Sequence, residues 1–463
     1  MSQILGITTS DASEAYWSEN ARRKVFHQYP QGAAPLTGLL SLMGSEGTDK
    51  TKFGYWEDRM DPHYSSTKVT AAGTNGGPFD SWASSVVGTD EADPFSAAVG
   101  DSLAIYVNDY TQFRIRDVVW VKGALNSSGA VISLKGVIIV EPTTDVIVIR
   151  LIEALTNCAN DATNLALGVF AIGSATGEGD RSKTGGNSRP LEIENYTQIM
   201  RTAYSLSRSA LKGGLRYDSE GEHREKAKKN ALRHSILQEK SNFWGTRATA
   251  NVTNADGEVV PEKKMGGIEW YIKQWELGNT ANGGAFDYRP GGGDLTNTAW
   301  TADDDKRMID VQGTINKSQW NDLMERLFRY TNEENFQKLC LCGSGFISVF
   351  SEFVDNNTTV KRKLFDSGKA GFSFVEWESP HGTIMFKSHP LFNQHVDFRN
   401  SAFFLDMGNL KYRYLNDSDT ELLENRQAND ADKRKDEWIT ECSLEVRFPE
   451  SHMFVDNLTG ITA

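Results

Sequence analysis

Five places in the 463-residue chain bring together side chains that could do chemistry. Gly177-Glu178-Gly179-Asp180-Arg181-Ser182-Lys183-Thr184 has the composition of a phosphate-binding loop. Such a loop needs Gly directly before the Lys, so that backbone N–H groups can close round the phosphates. Ser182 stands there, and no apolar helix pattern follows. Cys342-Gly343-Ser344-Gly345 sets a serine between glycines, as at a nucleophile elbow, but Cys342 takes the place of the first Gly. His381 and His389 flank a strand-like run, 383–387, and could meet in space, yet no H-E-x-x-H spacing supports a metal site. Asp303-Asp304-Asp305 lacks the alternating ligands of a calcium loop and reads as a solvated acidic turn. Arg224, Lys226, Lys228 and Lys229 alternate with Glu222 and Glu225, the pattern of a charged helix face. None of the five makes a catalytic, cofactor or metal site, and the chain is read as a non-enzyme.

The composition points the same way. The formal net charge of −13 is opposite in sign to a chain that grips nucleic acid through a basic patch. No apolar run reaches the length of a membrane span, and the first 20 residues lack a secretory signal pattern. The four cysteines form no C-x-x-C pair, which fits free thiols in a reducing compartment. Cys340 and Cys342 in particular are expected to be free, on opposite faces of one strand.

The elements that must carry these residues fall in a definite order. Residues 1–61 have short apolar clusters, 33–40 the best of them, but no long helical period, and read as an arm that needs a surface to lie on. Residues 60–80 read as a loop. Four Val- and Ile-rich strands come next, over 102–107, 115–121, 131–140 and 145–152. Residues 173–190 form a long polar loop, and 195–200 alternate as its return strand. A helix is expected over 219–245, with Ser219 and Glu222 as a capping box, Gly245 as the stop, and a narrow stripe of Ala227, Ala231, Leu232, Ile236 and Phe243. Trp320, Leu323, Met324, Leu327 and Phe328 mark an amphipathic helix, and Phe346 to Val354 a second, with Ser344 as its N-cap. Trp438, Thr440, Cys442, Leu444, Val446 and Phe448 alternate as a strand with one wet face.

The order of arm, long polar hairpin, spine-like helix, mixed α/β region and returning strand resembles the Hong Kong 97-type fold of tailed-phage major capsid proteins. The local signatures are Phe53-Gly54-Tyr55-Trp56-Glu57-Asp58, Glu178-Gly179 with the polar run to Pro190, Asn195-Tyr196-Thr197-Gln198-Ile199, Gly266-Gly267-Ile268 and Glu441-Cys442-Ser443-Leu444-Glu445-Val446. The resemblance implies an α+β fold with an N-arm over 1–61, a loop and β-rich insertion over 62–172, and an extended loop over 173–205. A peripheral domain with the spine helix would take 206–266, an axial domain 267–400, and returning peripheral strands with the C-terminus 401–463. The insertion, 91–171, is absent from the smallest members.

The functional expectations rest on the resemblance alone. The chain would assemble with itself into pentamers and hexamers of an icosahedral shell around double-stranded DNA, bound without sequence preference. It would meet portal, scaffolding and decoration proteins, would reside in the virion after assembly in the host cytoplasm, and would contact no membrane. Intersubunit contacts are expected from Glu178, Gly179, Asp180, Arg181, Lys183 and Arg189 in the extended loop. In the arm they are expected from Arg22, Arg23, Lys24, Leu36, Leu39 and Leu40. Some relatives crosslink subunits through Lys and Asn; Lys183 has no identifiable Asn partner, so this chemistry is not expected. The alternatives are an encapsulin-like compartment shell and an α/β enzyme using Ser344 or the Gly177 loop.

Overall fold

The computed structural model describes residues 34–42, 44–58, 64–68, 77–81, 94–142, 145–165, 167–179, 189–212, 222–278, 284–286, 288, 306–330, 337–356, 362–367 and 372–462. The chain divides into two compact units: 1–54, 194–276 and 294–463 form the first, and 55–193 with 277–293 the second. The capping serine, Ser219, and the acidic run 303–305 lie outside the described residues.

Among the described residues the first unit contains a separate two-stranded hairpin and two main sheets. One runs in the order Ser45–Thr48, Leu410–Leu415, Lys433–Val446, Gln198–Ser207, with Glu421–Leu423 also paired to Lys433–Val446. The spine helix, Glu222–Trp244, packs against this sheet. At 23 residues it is about 35 Å long. Its buried face differs from the expected apolar stripe. Phe243 is buried, but Ala227, Ala231, Leu232 and Ile236 are only half-buried, and Glu225, Asn230, His234, Gln238, Glu239 and Asn242 face inward. Polar groups on the sheet and on flanking segments meet His234, Gln238, Glu239 and Asn242, while Asn230 bonds to Lys226 O and Glu225 pairs with Lys229 on the helix itself, so hydrogen bonds take the place of an apolar stripe.

The strand Lys433–Val446 corrects a second expectation. Residues 440–446 are buried on both faces, Ser443 and Glu445 completely. The strand is central, between Leu410–Leu415 and Gln198–Ser207, and the expected wet face is covered by charge pairing. Glu445 accepts from Arg413 Nε at 2.5 Å and Arg447 Nε at 2.5 Å. The arm is likewise not wholly extended: the apolar cluster folds as a helix, Pro35–Leu42, which packs on the spine helix.

The second sheet is mixed, in the order Met308–Asn316, Met453–Thr462, Ala402–Leu405, Gln337–Cys342, Gly382–Ser388, Phe372–Ser379, Arg362–Ser367. Both amphipathic helices are present, as Lys317–Phe328 and Ser344–Asn356. Trp320, Leu323, Leu327, Phe346, Phe350, Trp377, Phe386 and Phe404 share one core with this sheet. Residues 402–405 and 453–462 therefore pair in this second sheet, while 410–415 and 433–446 belong to the first. Cys340 and Cys342 are free and buried. They lie in the same core, on the same face, because side chains two apart on a strand point the same way.

The second unit is antiparallel throughout its main sheet, in the order Tyr64–Ser66, Gly168–Ser174, Asp117–Val121, Leu134–Ile138, Val146–Leu151, Ser102–Tyr106, Phe79–Ser81. The four expected strands are there; Tyr64–Ser66 and Phe79–Ser81 lie where a loop was expected. The chain after Tyr64–Ser66 returns to the strand Ser102–Tyr106: Lys68 N–H donates to Tyr106 O at 2.9 Å and Asn108 N–H to Ser66 O at 2.9 Å. A bridge between Thr67 and Val107 joins them. The sheet closes on itself round Leu103, Ile105, Val119, Val121, Leu134, Ile138, Ile147, Ile149 and Val169.

The serine between glycines has a packing explanation. A Cβ on Gly343 would stand 2.2 Å from the Arg399 carbonyl oxygen, and one on Gly345 2.0 Å from Asn400 Oδ1. The turn Asp397–Asn400 thus lies directly on these glycines. Ser344 opens the helix rather than capping it; its N–H donates to Asn393 Oδ1 at 2.8 Å. We expect Gly343→Ala to destabilise the subunit by about 2–4 kcal/mol, because backbone must move to admit the methyl. Ser344→Ala should change stability by less than about 1 kcal/mol. Urea unfolding of both variants checks the difference, and equal midpoints would refute the packing explanation.

Candidate assembly surface

A shell-forming role requires a rigid frame and elements that the frame leaves uncovered. The frame of the first unit is a polar seam along the spine helix. Glu239, fully buried, lies at the N-terminus of the helix Pro35–Leu42. Its carboxylate accepts from Leu36 N–H at 2.8 Å, Thr37 N–H at 2.7 Å and the Thr37 hydroxyl. Two free N–H groups and the positive end of the short helix dipole make this a favourable place for an anion. The same carboxylate meets His389 Nε2 at 2.8 Å. His389 Nδ1 accepts from Leu391 N–H at 3.1 Å, so the proton sits on Nε2 and is donated to Glu239. His389 is thereby tied to the spine helix, while His381, at the other end of its strand, is exposed. The two do not meet. Among the described residues no cluster of His, Cys, Asp or Glu is arranged to hold a metal ion.

The seam continues along the helix. His234 Nδ1 accepts from the Thr202 hydroxyl at 3.1 Å. Its Nε2 donates at 2.7 Å to Thr440 Oγ1, which itself donates to Thr420. Burial pushes the His234 pKa down. Gln238 donates to Tyr412 Oη at 2.9 Å and to Cys442 Sγ at 3.5 Å. Burial pushes the Cys442 thiol up to about 12. At the helix start, Asp436 meets His223, Tyr204 and Arg434. Burial alone would raise Asp436, but the Asn425 N–H, His223 and Arg434 outweigh it and hold its carboxyl below the usual range. Tyr204 beside it is pushed up to about 12, by burial first and then by the Asp436 charge. The edge strand Ser45–Thr48 is latched by Glu46, which pairs with Arg413 at 2.8 Å and Lys411 at 3.0 Å.

Of the expected contact residues, Glu178 and Gly179 sit in an exposed turn and Arg189 is exposed. Asp180, Arg181 and Lys183 lie outside the described residues, as do Arg22, Arg23 and Lys24. A strand, Gly168–Ser174, leads into the phosphate-loop look-alike, and a strand, Leu191–Tyr196, is the next described element, where a phosphate loop needs a helix. Leu36 and Leu40 are buried within this chain and Leu39 is half-buried, so the arm's two best apolar anchors are already covered.

Sequence reasoning missed a further element, the hairpin Ala248–Thr253 with Val259–Lys264. None of its twelve strand residues is buried. The Asp256-Gly257 dipeptide between β-branched residues was the signal that could have found it. Asn254 Oδ1 accepts from the Asp256 and Glu258 N–H groups and shapes the turn.

A model of the SU10 major capsid protein family matches residues 8–459. The chain belongs to that family. It is a structural capsid protein, in keeping with a frame that carries hydrogen bonds and packing, and its place is the virion capsid. No curated protein matches it. Among solved structures, it is similar to the holo-SrpI encapsulin complex from Synechococcus elongatus PCC 7942, at 12% identity and TM-score 0.34, over 60% of this chain and 78% of that one. A structure from Mycobacterium phage Patience matches at 9% identity and TM-score 0.36, over 62% and 77%. The Cyanophage A-1(L) capsid asymmetric unit matches at 13% identity and TM-score 0.34, over 62% and 83%.

Two outcomes test the frame of this capsid protein. Glu239→Ala leaves the buried Leu36 N–H, the half-buried Thr37 N–H and the His389 ring proton without their acceptor, and should cost about 3–5 kcal/mol in urea unfolding. Acid should act through the buried histidines. Burial pushes His452 down to about 3, with the Lys338 charge adding to the effect and the Arg447 backbone carbonyl opposing it. The unfolded chain takes up that proton near pH 6.5. Stability is therefore full above about pH 6.5 and falls as the pH drops from there toward 3, by up to roughly 1.4 kcal/mol per pH unit for this group. A urea midpoint that stays flat between pH 7.5 and 4.5 would contradict this.

Proposed function

We propose that this capsid protein forms pentamers and hexamers of an icosahedral shell enclosing double-stranded DNA, with the Hong Kong 97-type architecture that its sequence resembles. The observation that carries the reading is the family match across nearly the whole chain. A stiff polar frame supports it, as do elements exposed among the described residues: the turn at Glu178 and Gly179, and the hairpin Ala248–Thr253 with Val259–Lys264. A net charge of −13 suits a container that holds DNA without gripping it. Portal, scaffolding and decoration proteins are its further partners, and assembly takes place in the host cytoplasm.

In this reading the extended loop lies on a neighbouring subunit through Glu178, Gly179, Asp180, Arg181, Lys183 and Arg189. A long polar loop recovers its ordering entropy only against such a surface. Arg22, Arg23 and Lys24 of the arm pair with acidic residues of a neighbour. Leu39 can add to that contact, whereas Leu36 and Leu40 serve the subunit's own core. Shortening the loop between Asp180 and Arg189 should leave the subunit folded and reduce shell yield at least about tenfold. Electron microscopy and sedimentation of the purified variant give the answer. Shells in normal yield, with unchanged heat resistance, would sink the assignment.

A further inference from the structure

The hairpin at 248–264 is rooted firmly, and among the described residues none of its strand residues is buried. At its base, Met265 N–H donates to Gln198 Oε1 at 3.1 Å. The Asn195 side chain brackets Gly266, accepting from its N–H at 2.9 Å and donating to its carbonyl at 3.1 Å, while also donating to Leu444 O at 2.7 Å. From that base six residue pairs extend by about 20 Å. Val252 is 37% exposed and Val259 69% exposed. A two-stranded hairpin in water is marginal without a surface to pack on. This one combines a fixed root, a full register and apolar residues near a tip that carries Asp256 and Glu258.

The complementary surface lies on the same chain. The outward side of the spine helix presents Lys226, Arg233, Leu237 and Lys240, opposite the polar seam. Leu237 is 47% exposed at the centre of this stripe. Among the described residues no carboxylate is paired with Arg233 or Lys240. An apolar residue among cations thus matches apolar residues beside carboxylates. Opposite charges flanking an apolar contact favour one register and speed encounter.

We propose that the tip of the hairpin docks on the outward face of the spine helix of a second copy, with Asp256 and Glu258 toward Arg233 and Lys240, and Val259 toward Leu237. The inference rests on the shell reading, which supplies neighbouring copies at fixed positions. It adds a second intersubunit clamp to the one assigned to the extended loop.

Charge exchange tests it. Asp256→Lys with Glu258→Lys should raise the protein concentration needed for assembly about tenfold or more, and Arg233→Glu with Lys240→Glu should do the same. All four substitutions together should restore assembly. Thermal unfolding of each subunit should match the unmodified chain, since none of these side chains is buried. Failure of the shell reading would appear in the unmodified chain, which would form no particles. Failure of this inference would appear as either charge pair assembling like the unmodified chain, or as no recovery in the combined variant. A cysteine pair, Leu237→Cys with Val259→Cys, gives a readout in whatever oligomer the protein forms. Mild oxidation should link chains into dimers and longer ladders on a non-reducing gel, against a low background because the four native cysteines are buried. Absence of linked chains would overturn the proposal.

Discussion

The first unit depends on a carboxylate that has no contact with water. Glu239 is buried on the inner side of the spine helix, where an unpaired charge would be untenable. It is stable because separate pieces of chain bring donors to it: the arm helix through Leu36 and Thr37, and the end of a strand of the second sheet through His389. Each piece alone would leave polar groups buried and unsatisfied. Together they define one arrangement, since hydrogen bonds of this kind tolerate little displacement. The helix Pro35–Leu42, the spine helix and the two main sheets of this unit meet at that one group, with Phe243, Phe392 and Phe403 packed against the His389 side of the junction.

This way of holding a helix suits a shell subunit. An apolar stripe tolerates sliding and rotation, because dispersion contacts are numerous and undirected. A seam of His234, Gln238, Glu239 and Asn242 does not, because each side chain has a specific partner. The helix is then a stiff rod whose outer face is presented in a constant position. Such constancy is what repeated contacts between identical subunits demand.

Much of the architecture was legible because periodicity reports on apolar burial. The helices Lys317–Phe328 and Ser344–Asn356 and the four strands of the second unit were each visible as spacing of Leu, Phe, Val or Ile. The seam was not, because Glu225, Asn230, His234, Gln238 and Glu239 look like a solvated face until their partners are known. For His234, Gln238 and Glu239 those partners are up to 206 residues away in the chain, as for His234 and Thr440. The strand Lys433–Val446 was misread for the same reason: Glu441, Ser443 and Glu445 alternate like a wet face, and only the sheet order reveals that it is central. For the candidate contacts, the polar run after Ser174 was evident from composition. The hairpin was overlooked because its residues are neither apolar enough for a core strand nor polar enough for a loop. Leu36 and Leu40 were expected to face a neighbour because an arm was assumed to carry no core of its own.

The closed sheet of the second unit has one further consequence. In a lattice of identical molecules every subunit meets its own kind continuously, at a local concentration far above that of free protein. An open row of backbone donors and acceptors under those conditions is an invitation to mispair with the same row on the next copy. Joining the strand that ends at Tyr106 to the segment 66–68 removes that invitation. A unit of well over a hundred residues then offers less open backbone along that edge to its copies. Closure is in this sense a form of discretion, leaving the choice of partners to the frame and its protruding arms.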